Sequence, residues 1–482
     1  MLTGRELMAL GWPEGRAIGA ALRAAEEMRA SGEDESSILR ELEAVRENPD
    51  GEISSALEPL AREFKRMREP EPDELVEGRP YAAWGEEMIE EVAAEQMRNA
   101  MRLPVTVAGA LMPDAHLGYG LPVGGVLATK GAVIPWAVGV DIACRMRLSI
   151  FDMSPSILDE RPEVMKEIII RNTNFGAGGK FKPGRRGADH EVLEDGAWGA
   201  TPFLKKMKAT ADAQLGTSGS GNHFVEWGIF EAAKDGTMDD LEAGKRYLAL
   251  LSHSGSRGVG ARIADRYSKA AKHAHPRLDA SVADLAWLDM DSEAGEEYWL
   301  SMELAGRFAS ANHAVIHAKI SAALGEESVS VVENHHNYAW REEIGGEEAI
   351  VHRKGATPAG VGVLGMIPAS MGDAGYVVRG KGSAESINSA SHGAGRTMSR
   401  TRAFATLDEA AWRSYLEERG VILVGGGLDE APMAYKPIAE VMARQRDLVD
   451  VLGSFTPRIV RMDGGKPRRK KPTKKDAEKR GE

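Results

Sequence analysis

Residues Leu121-Pro-Val-Gly-Gly-Val-Leu-Ala-Thr-Lys130-Gly-Ala-Val-Ile-Pro-Trp-Ala-Val-Gly-Val140 form the most apolar long stretch of the chain. Its length is that of a membrane-spanning helix. Lys130, two prolines and several glycines break any such helix. The stretch therefore reads as buried strands and turns inside a globular core.

The same texture continues outward over residues 78 to 464. Short β-branched runs, Val105 to Val107, Tyr247 to Leu251, Ser328 to Val332 and Val421 to Val424, alternate with helical stretches such as Glu86 to Met101 and Trp299 to Ala323. No regular βαβ period and no internal repeat is visible. The fold class expected is α+β, one large mixed α/β catalytic domain over residues 76–464. Residues 1–75 read as a small all-helical extension. Thr3 and Glu6 have capping-box spacing, and Ile18, Leu22, Ala25 and Met28 recur at helical intervals, as do Ile38, Leu42 and Val45. Asn48-Pro49 stops the second run, and Glu69-Pro-Glu-Pro72 reads as a stiff linker.

The chain has 482 residues, 43% hydrophobic and 28% charged, with a net charge of −12. No basic-then-apolar leader is visible, so a cytoplasmic protein is expected. The single cysteine, Cys144, excludes an internal disulfide and a four-cysteine zinc site. Residues 465–482 differ from the rest, with nine Lys/Arg against three Asp/Glu. Such a tail is either a disordered, solvated run or a nonspecific hold on phosphates.

Five polar clusters sit in glycine-rich surroundings, where backbone and ligand can approach closely. The first is Met112-Pro-Asp-Ala-His-Leu-Gly-Tyr-Gly120, leading to Gly139-Val-Asp141-Ile-Ala-Cys144. The second is Leu215-Gly-Thr-Ser-Gly-Ser-Gly-Asn222-His223-Phe-Val-Glu226. The third and fourth are Ser252-His253-Ser-Gly-Ser-Arg257-Gly and Glu333-Asn-His335-His336-Asn337-Tyr. The fifth is Ser391-His392-Gly-Ala-Gly-Arg396, preceded by His352-Arg-Lys354-Gly-Ala-Thr and Pro368-Ala-Ser370-Met371-Gly. A lone histidine is usually structural, and a lone cysteine is usually a small buried apolar residue. Imidazoles, a thiol and a carboxylate together instead suit a first-row divalent metal with open coordination positions. A Walker phosphate loop, a His-Glu-x-x-His helix and a Lys-x-Asp-Gly nucleophile motif are missing.

These blocks, in this order, resemble the signature blocks of the RtcB RNA ligase family over about residues 78 to 460. The resemblance implies two manganese ions per site: Asp141 and His223 on one, His253 and His336 on the other, Cys144 bridging. It implies His392 as the nucleophile that takes GMP from GTP, oriented by Asp114. It places nucleotide binding on Asn222, His223, Phe224, Val225 and Glu226, on His336 and Asn337, on Pro368, Ala369, Ser370 and Met371, and on His392, Gly393, Ala394 and Gly395. GMP would pass from His392 to an RNA 3′-phosphate, itself obtained from a 2′,3′-cyclic phosphate where needed. A 5′-hydroxyl RNA end would then displace GMP. The implied partner is RNA with those ends, in tRNA splicing or RNA repair, with room for an activating helper protein and no role for a membrane.

The chain departs from the family pattern at several positions. Arg145 follows the cysteine where many members have glycine, which would put a cation beside the site. Gly375 stands where a serine contacts the nucleotide. Arg461-Met-Asp463-Gly464 replaces a closing Lys-Gly pair whose lysine reads guanine, leaving Asp463 as a candidate reader and GTP against ATP open. The extension is also additional, and residues 3–19 resemble a short motif of the RNA-binding helical region of CCA-adding enzymes and poly(A) polymerases. A divergent paralogue is expected. Two other readings remain: a dinuclear-metal phosphoesterase, and a catalytically idle RNA-binding protein.

Overall fold

The computed structural model describes residues 2–13, 16–51, 53–68, 74–181, 189–235, 238 and 241–464. The expected linker at 69–72 and the basic tail at 465–482 lie outside the described residues. The chain divides into two compact units, Met1–Glu74 and Leu75–Glu482.

The first unit holds the helices Gly4–Ala9, Arg16–Ala30, Glu35–Glu47 and Glu58–Arg68. The capping box is present: the Thr3 hydroxyl accepts from Glu6 N–H at 3.4 Å, and the Glu6 carboxylate accepts from Thr3 N–H at 2.8 Å. Asp34 caps the third helix, and Asn48 ends it. Leu7, Trp12, Ile38, Leu42, Leu60 and Phe64 form the core. Trp12 packs edge-on against Phe64, its N–H donating to Glu43 at 2.7 Å. Glu58–Arg68 carries no run singled out in the sequence reading, yet it supplies Leu60 and Phe64.

The second unit is built on two large sheets. In the first, strands run in the order Leu364–Ile367, Gly375–Gly380, Val449–Met462, Phe224–Ala232, Arg246–Ser254, Arg145–Phe151 and Ser330–His335, with Ile422–Val424 parallel to Val449–Met462. The second has the order Ala82–Ala83, Thr106–His116, Val123–Thr129, Glu347–Lys354 and Asn337–Ile344. The 121–140 stretch becomes two buried strands and the short helix Pro135–Val138. His336 sits between Ser330–His335 of the first sheet and Asn337–Ile344 of the second, where the chain passes from one to the other.

The helix expected at Trp299 to Ala323 spans Glu293–Leu324, with Ser292 as N-cap and Gly325 (φ +81°) closing it. The stretch expected as one helix from Glu86 to Met101 instead splits. A 3₁₀ turn at Glu86–Met88 precedes the helix Glu91–Ala100, because Ile89 takes an extended backbone and packs into the core around Met97 and Leu111. No helix among the described residues is long and apolar enough to cross a membrane.

The long helix packs Ile316 and Ile320 on the sheet face bearing Trp227, Leu248 and Leu250. Alternation along a strand puts Ser252 on that face and His253 on the other. Ser252 Oγ meets His313 Nδ1 at 2.6 Å and His317 Nε2 at 2.8 Å. Immediately before His313, Asn312 Oδ1 accepts from the N–H groups of Gly216 (2.7 Å) and Thr217 (3.2 Å), and Asn312 Nδ2 donates to Thr217 O (2.9 Å). This buried amide fixes the glycine-rich loop that leads to His223. Asn312→Ala strands two buried N–H groups, at a cost of about 1–3 kcal/mol each. We expect a clearly lowered denaturation midpoint; an unchanged midpoint would contradict this role.

Candidate active site

Cys144, His223, His253 and His336 converge where the two sheets meet. Asp141 and Cys144 are brought together by a tight turn, with Cys144 N–H donating to Asp141 O at 3.1 Å. Ala143 between them is left-handed (φ +57°), a costly conformation outside glycine, and it is held by its N–H bond to Asn337 O at 2.7 Å. Gly255 leaves room for the carboxylate: a Cβ there would lie 2.1 Å from Asp141 Oδ1.

Cys144 Sγ is 3.1 Å from His253 Nε2 and 3.5 Å from His223 Nε2. His253 Nε2 is 3.3 Å from His336 Nε2, and Asp141 Oδ2 is 2.9 Å from His223 Nε2. The donor atoms form two groups, Asp141–Cys144–His223 and Cys144–His253–His336, which share the sulfur. Tetrahedral ligands at ~2.1–2.3 Å from one ion lie about 3.4–3.6 Å apart, close to the 3.3 and 3.5 Å separations and somewhat longer than the 2.9 and 3.1 Å ones. His253 Nδ1–H donates to Asn222 O at 2.9 Å, leaving Nε2 with its lone pair toward the cluster. Burial lowers the His253 pKa to about 3 and that of His336 well below the usual range, so both rings are neutral. Burial, then the Asp141 charge, pushes the Cys144 thiol up. A cation would reverse that shift by favouring the thiolate. The residues present fit a pair of divalent ions with a bridging sulfur.

His392 stands beside this cluster, its ring centroid 4.9 Å from that of His336. Its Nδ1–H donates to Asp114 Oδ2 at 2.7 Å, and the N–H groups of His392 and Gly393 reach the same oxygen at 3.2 and 3.3 Å. Asp114 is fully buried. Burial would raise its pKa, but the His392 ring and then Lys436 more than offset this and hold it below its usual value. The ionised carboxylate fixes the ring tautomer and leaves Nε2 with a lone pair. Gly395 (φ +74°) is needed for the close approach, since a Cβ there would lie 2.0 Å from Asp114 O.

A cavity of about 770 Å³ opens onto both features. It is lined by Asp141, Cys144, Asn222, His223, Phe224, Glu226, His253, His336, Asn337, Pro368, Ala369, Ser370, Met371, His392, Gly393, Ala394 and Gly395. Two of the residues that the resemblance assigns to the site are not on that wall. Asp114 acts from behind His392. Val225 turns its side chain into the core beside Trp227, since strand alternation lets Phe224 and Glu226, but not Val225, face the cavity.

The divergent positions behave in their own ways. Arg145 does not line the cavity, contrary to the expectation of a cation beside the site. Strand alternation turns it away from Cys144, to Glu333 at 2.8 Å, His335 Nδ1 at 3.2 Å and Gly306 O at 3.3 Å. Gly375 does line it, but a Cβ there would meet Met366 Cε at 2.7 Å and Ile367 O at 2.9 Å, so a serine does not fit this backbone. Arg461 points away and donates to Ile169 O (2.9 Å) and Ile170 O at the end of the helix Pro162–Asn172. Met462 lines the cavity; Asp463 does not.

Sequence reasoning gave no role to the cationic wall. Arg396, Arg400 and Arg402 line the cavity, as does Lys354, whose pKa burial lowers to about 7. Glu430 and Asp429 hold Arg396 and Arg400 in place. Lys354 and Arg396 stand inside quoted blocks, beside His352 and His392, and that adjacency was the available signal. His352 itself is structural: its ring accepts from Ile134 N–H at 2.9 Å and meets Leu127 O at 3.1 Å.

A family model described as tRNA-splicing ligase RtcB matches residues 96–463. The RNA-splicing ligase RtcB of Escherichia coli K12 is 34% identical over 406 residues, covering 78% of this chain and 95% of that protein. The tRNA-splicing ligase RtcB of Thermococcus kodakarensis is 32% identical over 450 residues, covering 78% and 91%. The RNA-splicing ligase RtcB of Mycobacterium tuberculosis is 32% identical over 412 residues, covering 72% and 94%. With its cysteine–histidine cluster, its His392–Asp114 pair and this match over most of its length, the chain belongs to the RtcB family of RNA-splicing ligases.

Proposed function

We propose that the protein joins an RNA 3′-phosphate end, or a 2′,3′-cyclic phosphate end after its opening, to a 5′-hydroxyl end, using GTP and a histidine–GMP intermediate. The observation that carries this reading is the His392–Asp114 pair at 2.7 Å on the wall of the cavity that holds the cysteine–histidine cluster. A phosphoesterase would instead activate water at the metal cluster and use such a histidine only as a general acid or base, without a protein–GMP adduct.

In this reading Asp141, Cys144 and His223 would hold one ion and Cys144, His253 and His336 would hold the other. Manganese bound there would supply Lewis-acid stabilisation of charge building on phosphate oxygens. His392 Nε2 attacks the α-phosphorus of GTP, and pyrophosphate leaves. The Nδ1 proton stays on the ring, and the Asp114 carboxylate stabilises the positive charge that develops there. An oxygen of the RNA 3′-phosphate then attacks the GMP phosphorus, freeing His392 and forming RNA-ppG. The 5′-hydroxyl oxygen attacks the RNA phosphorus, GMP leaves, and the hydroxyl proton passes to solvent or a nearby base. Arg396, Arg400 and Arg402 face these phosphates as cations. Glu226 lies within the cavity, and burial pushes its carboxyl well above the usual range.

Two outcomes test this. Purified protein with manganese and GTP should join a 3′-phosphate RNA to a 5′-hydroxyl RNA, and His392→Ala should reduce joining by at least about 10³-fold, as expected for loss of a nucleophile. Joining that survives His392→Ala would move the nucleophile elsewhere, and hydrolysis without joining would favour the phosphoesterase. Cys144→Ser should lower manganese bound at saturation from two ions per chain, measured by elemental analysis after gel filtration. Two tightly held ions in Cys144→Ser would contradict the bridging sulfur.

A further inference from the structure

The loop between the strands Thr106–His116 and Val123–Thr129 carries an exposure pattern that the chemistry above does not use. Leu117 is 55% exposed and Tyr119 69% exposed, and Val140 beside Asp141 is 45% exposed. All three line the active-site cavity. Large apolar side chains grouped at a cavity mouth mark a surface that a ligand covers.

The backbone that presents them is fixed. Gln96 Nε2 donates to Gly118 O at 2.7 Å, and Gly118 N–H donates to Gln96 Oε1 at 3.0 Å. Lys354 Nζ donates to Tyr119 O and, at 3.0 Å, to Trp136 O. Gly120 (φ +68°) seats the turn against Asp284, where a Cβ would lie 3.0 Å from the carbonyl oxygen. The Tyr119 ring leans on Trp136 with centroids 5.8 Å apart and planes at 45°. An aromatic ring on a fixed backbone, supported on one side by Trp136 and otherwise largely in water, is a preorganised stacking surface.

We propose that Tyr119, flanked by Leu117 and Val140, is the platform on which the nucleobase next to the RNA end being joined stacks. Charge complementarity selects the occupant. The same cavity presents Arg402, which has no acidic partner among the described residues, beside Arg396 and Arg400, which Glu430 and Asp429 partly neutralise, so the ligand that covers the apolar mouth also brings phosphates. A nucleic-acid end meets both requirements, and stacking holds any base by its π-face. The inference rests on the ligase reading, and its test separates the two.

The full-length protein, in manganese buffer, is titrated into fluorescent RNA strands and binding is followed by anisotropy. One set of strands ends in a 3′-phosphate and the other in a 5′-hydroxyl, each prepared intact and with an abasic terminal nucleotide. Tyr119→Ala should weaken binding of one intact strand by between about 5- and 150-fold, the range for loss of one stacked base. Tyr119→Phe should bind within about twofold of the parent chain, because the ring face is retained. The corresponding abasic strand should bind the parent chain and Tyr119→Ala equally, which identifies the stacked end. Equal binding of intact strands by both proteins would overturn the platform, as would the same loss on intact and abasic strands. GMP labelling of the protein is measured alongside. Labelling that is normal in Tyr119→Ala with no binding difference sinks the platform alone. Absent labelling in the parent chain sinks the ligase reading, while the binding comparison still decides the platform.

Discussion

The second unit is organised around a problem of charge: four imidazole and thiol donors and one carboxylate are crowded at a junction between two sheets. Their separations run from 2.9 to 3.5 Å, and burial keeps His253 and His336 neutral. Lone pairs so placed are mutually repulsive without a proton or a cation between them. Much of the surrounding architecture serves to hold that crowding. The left-handed Ala143 turns Cys144 back onto Asp141, and Gly255 leaves space for the carboxylate. His336 occupies the single residue between strands of two sheets. The long buried helix ties down the loop before His223 through Asn312 and the strand before His253 through Ser252.

The His392–Asp114 pair obeys a second constraint. A buried carboxylate is tolerated only when paired or hydrogen-bonded. Asp114 Oδ2 gathers one ring N–H and two main-chain N–H groups, and Lys436 stands close enough to add its charge. Lys436 is itself anchored on the carbonyls of Pro113 and Ala115, either side of Asp114. Gly395 follows from this geometry, because backbone must approach backbone there more closely than a Cβ allows.

Much of the site was legible in the sequence because ligand chemistry leaves local marks. Glycine-flanked His, Cys and Asp residues named every member of the metal-capable cluster, and the 121–140 stretch betrayed buried strands by its prolines and Lys130. Side-chain direction was less legible. Val225 and Arg145 sit next to cavity residues in sequence and point away from them, because neighbours on a strand face opposite sides. The break at Ile89 was hidden because tertiary packing, not local propensity, decides it. The cationic wall was missed because Arg400 and Arg402 lie outside the quoted blocks and are gathered only by the fold. Residues 1–74 carry ten Lys/Arg against eighteen Asp/Glu, a balance poorly suited to holding phosphates by charge alone. Any RNA contact there would depend on particular side chains.

The most direct measurement is to locate the covalent intermediate. The protein is incubated with GTP and manganese without RNA, digested at alkaline pH to preserve a phosphoramidate, and its peptides are sequenced by mass spectrometry. The account predicts GMP on His392 and on no other residue, with no adduct in Asp114→Ala or His392→Ala. GMP on a lysine or on another histidine, or full modification of His392 in Asp114→Ala, would contradict it.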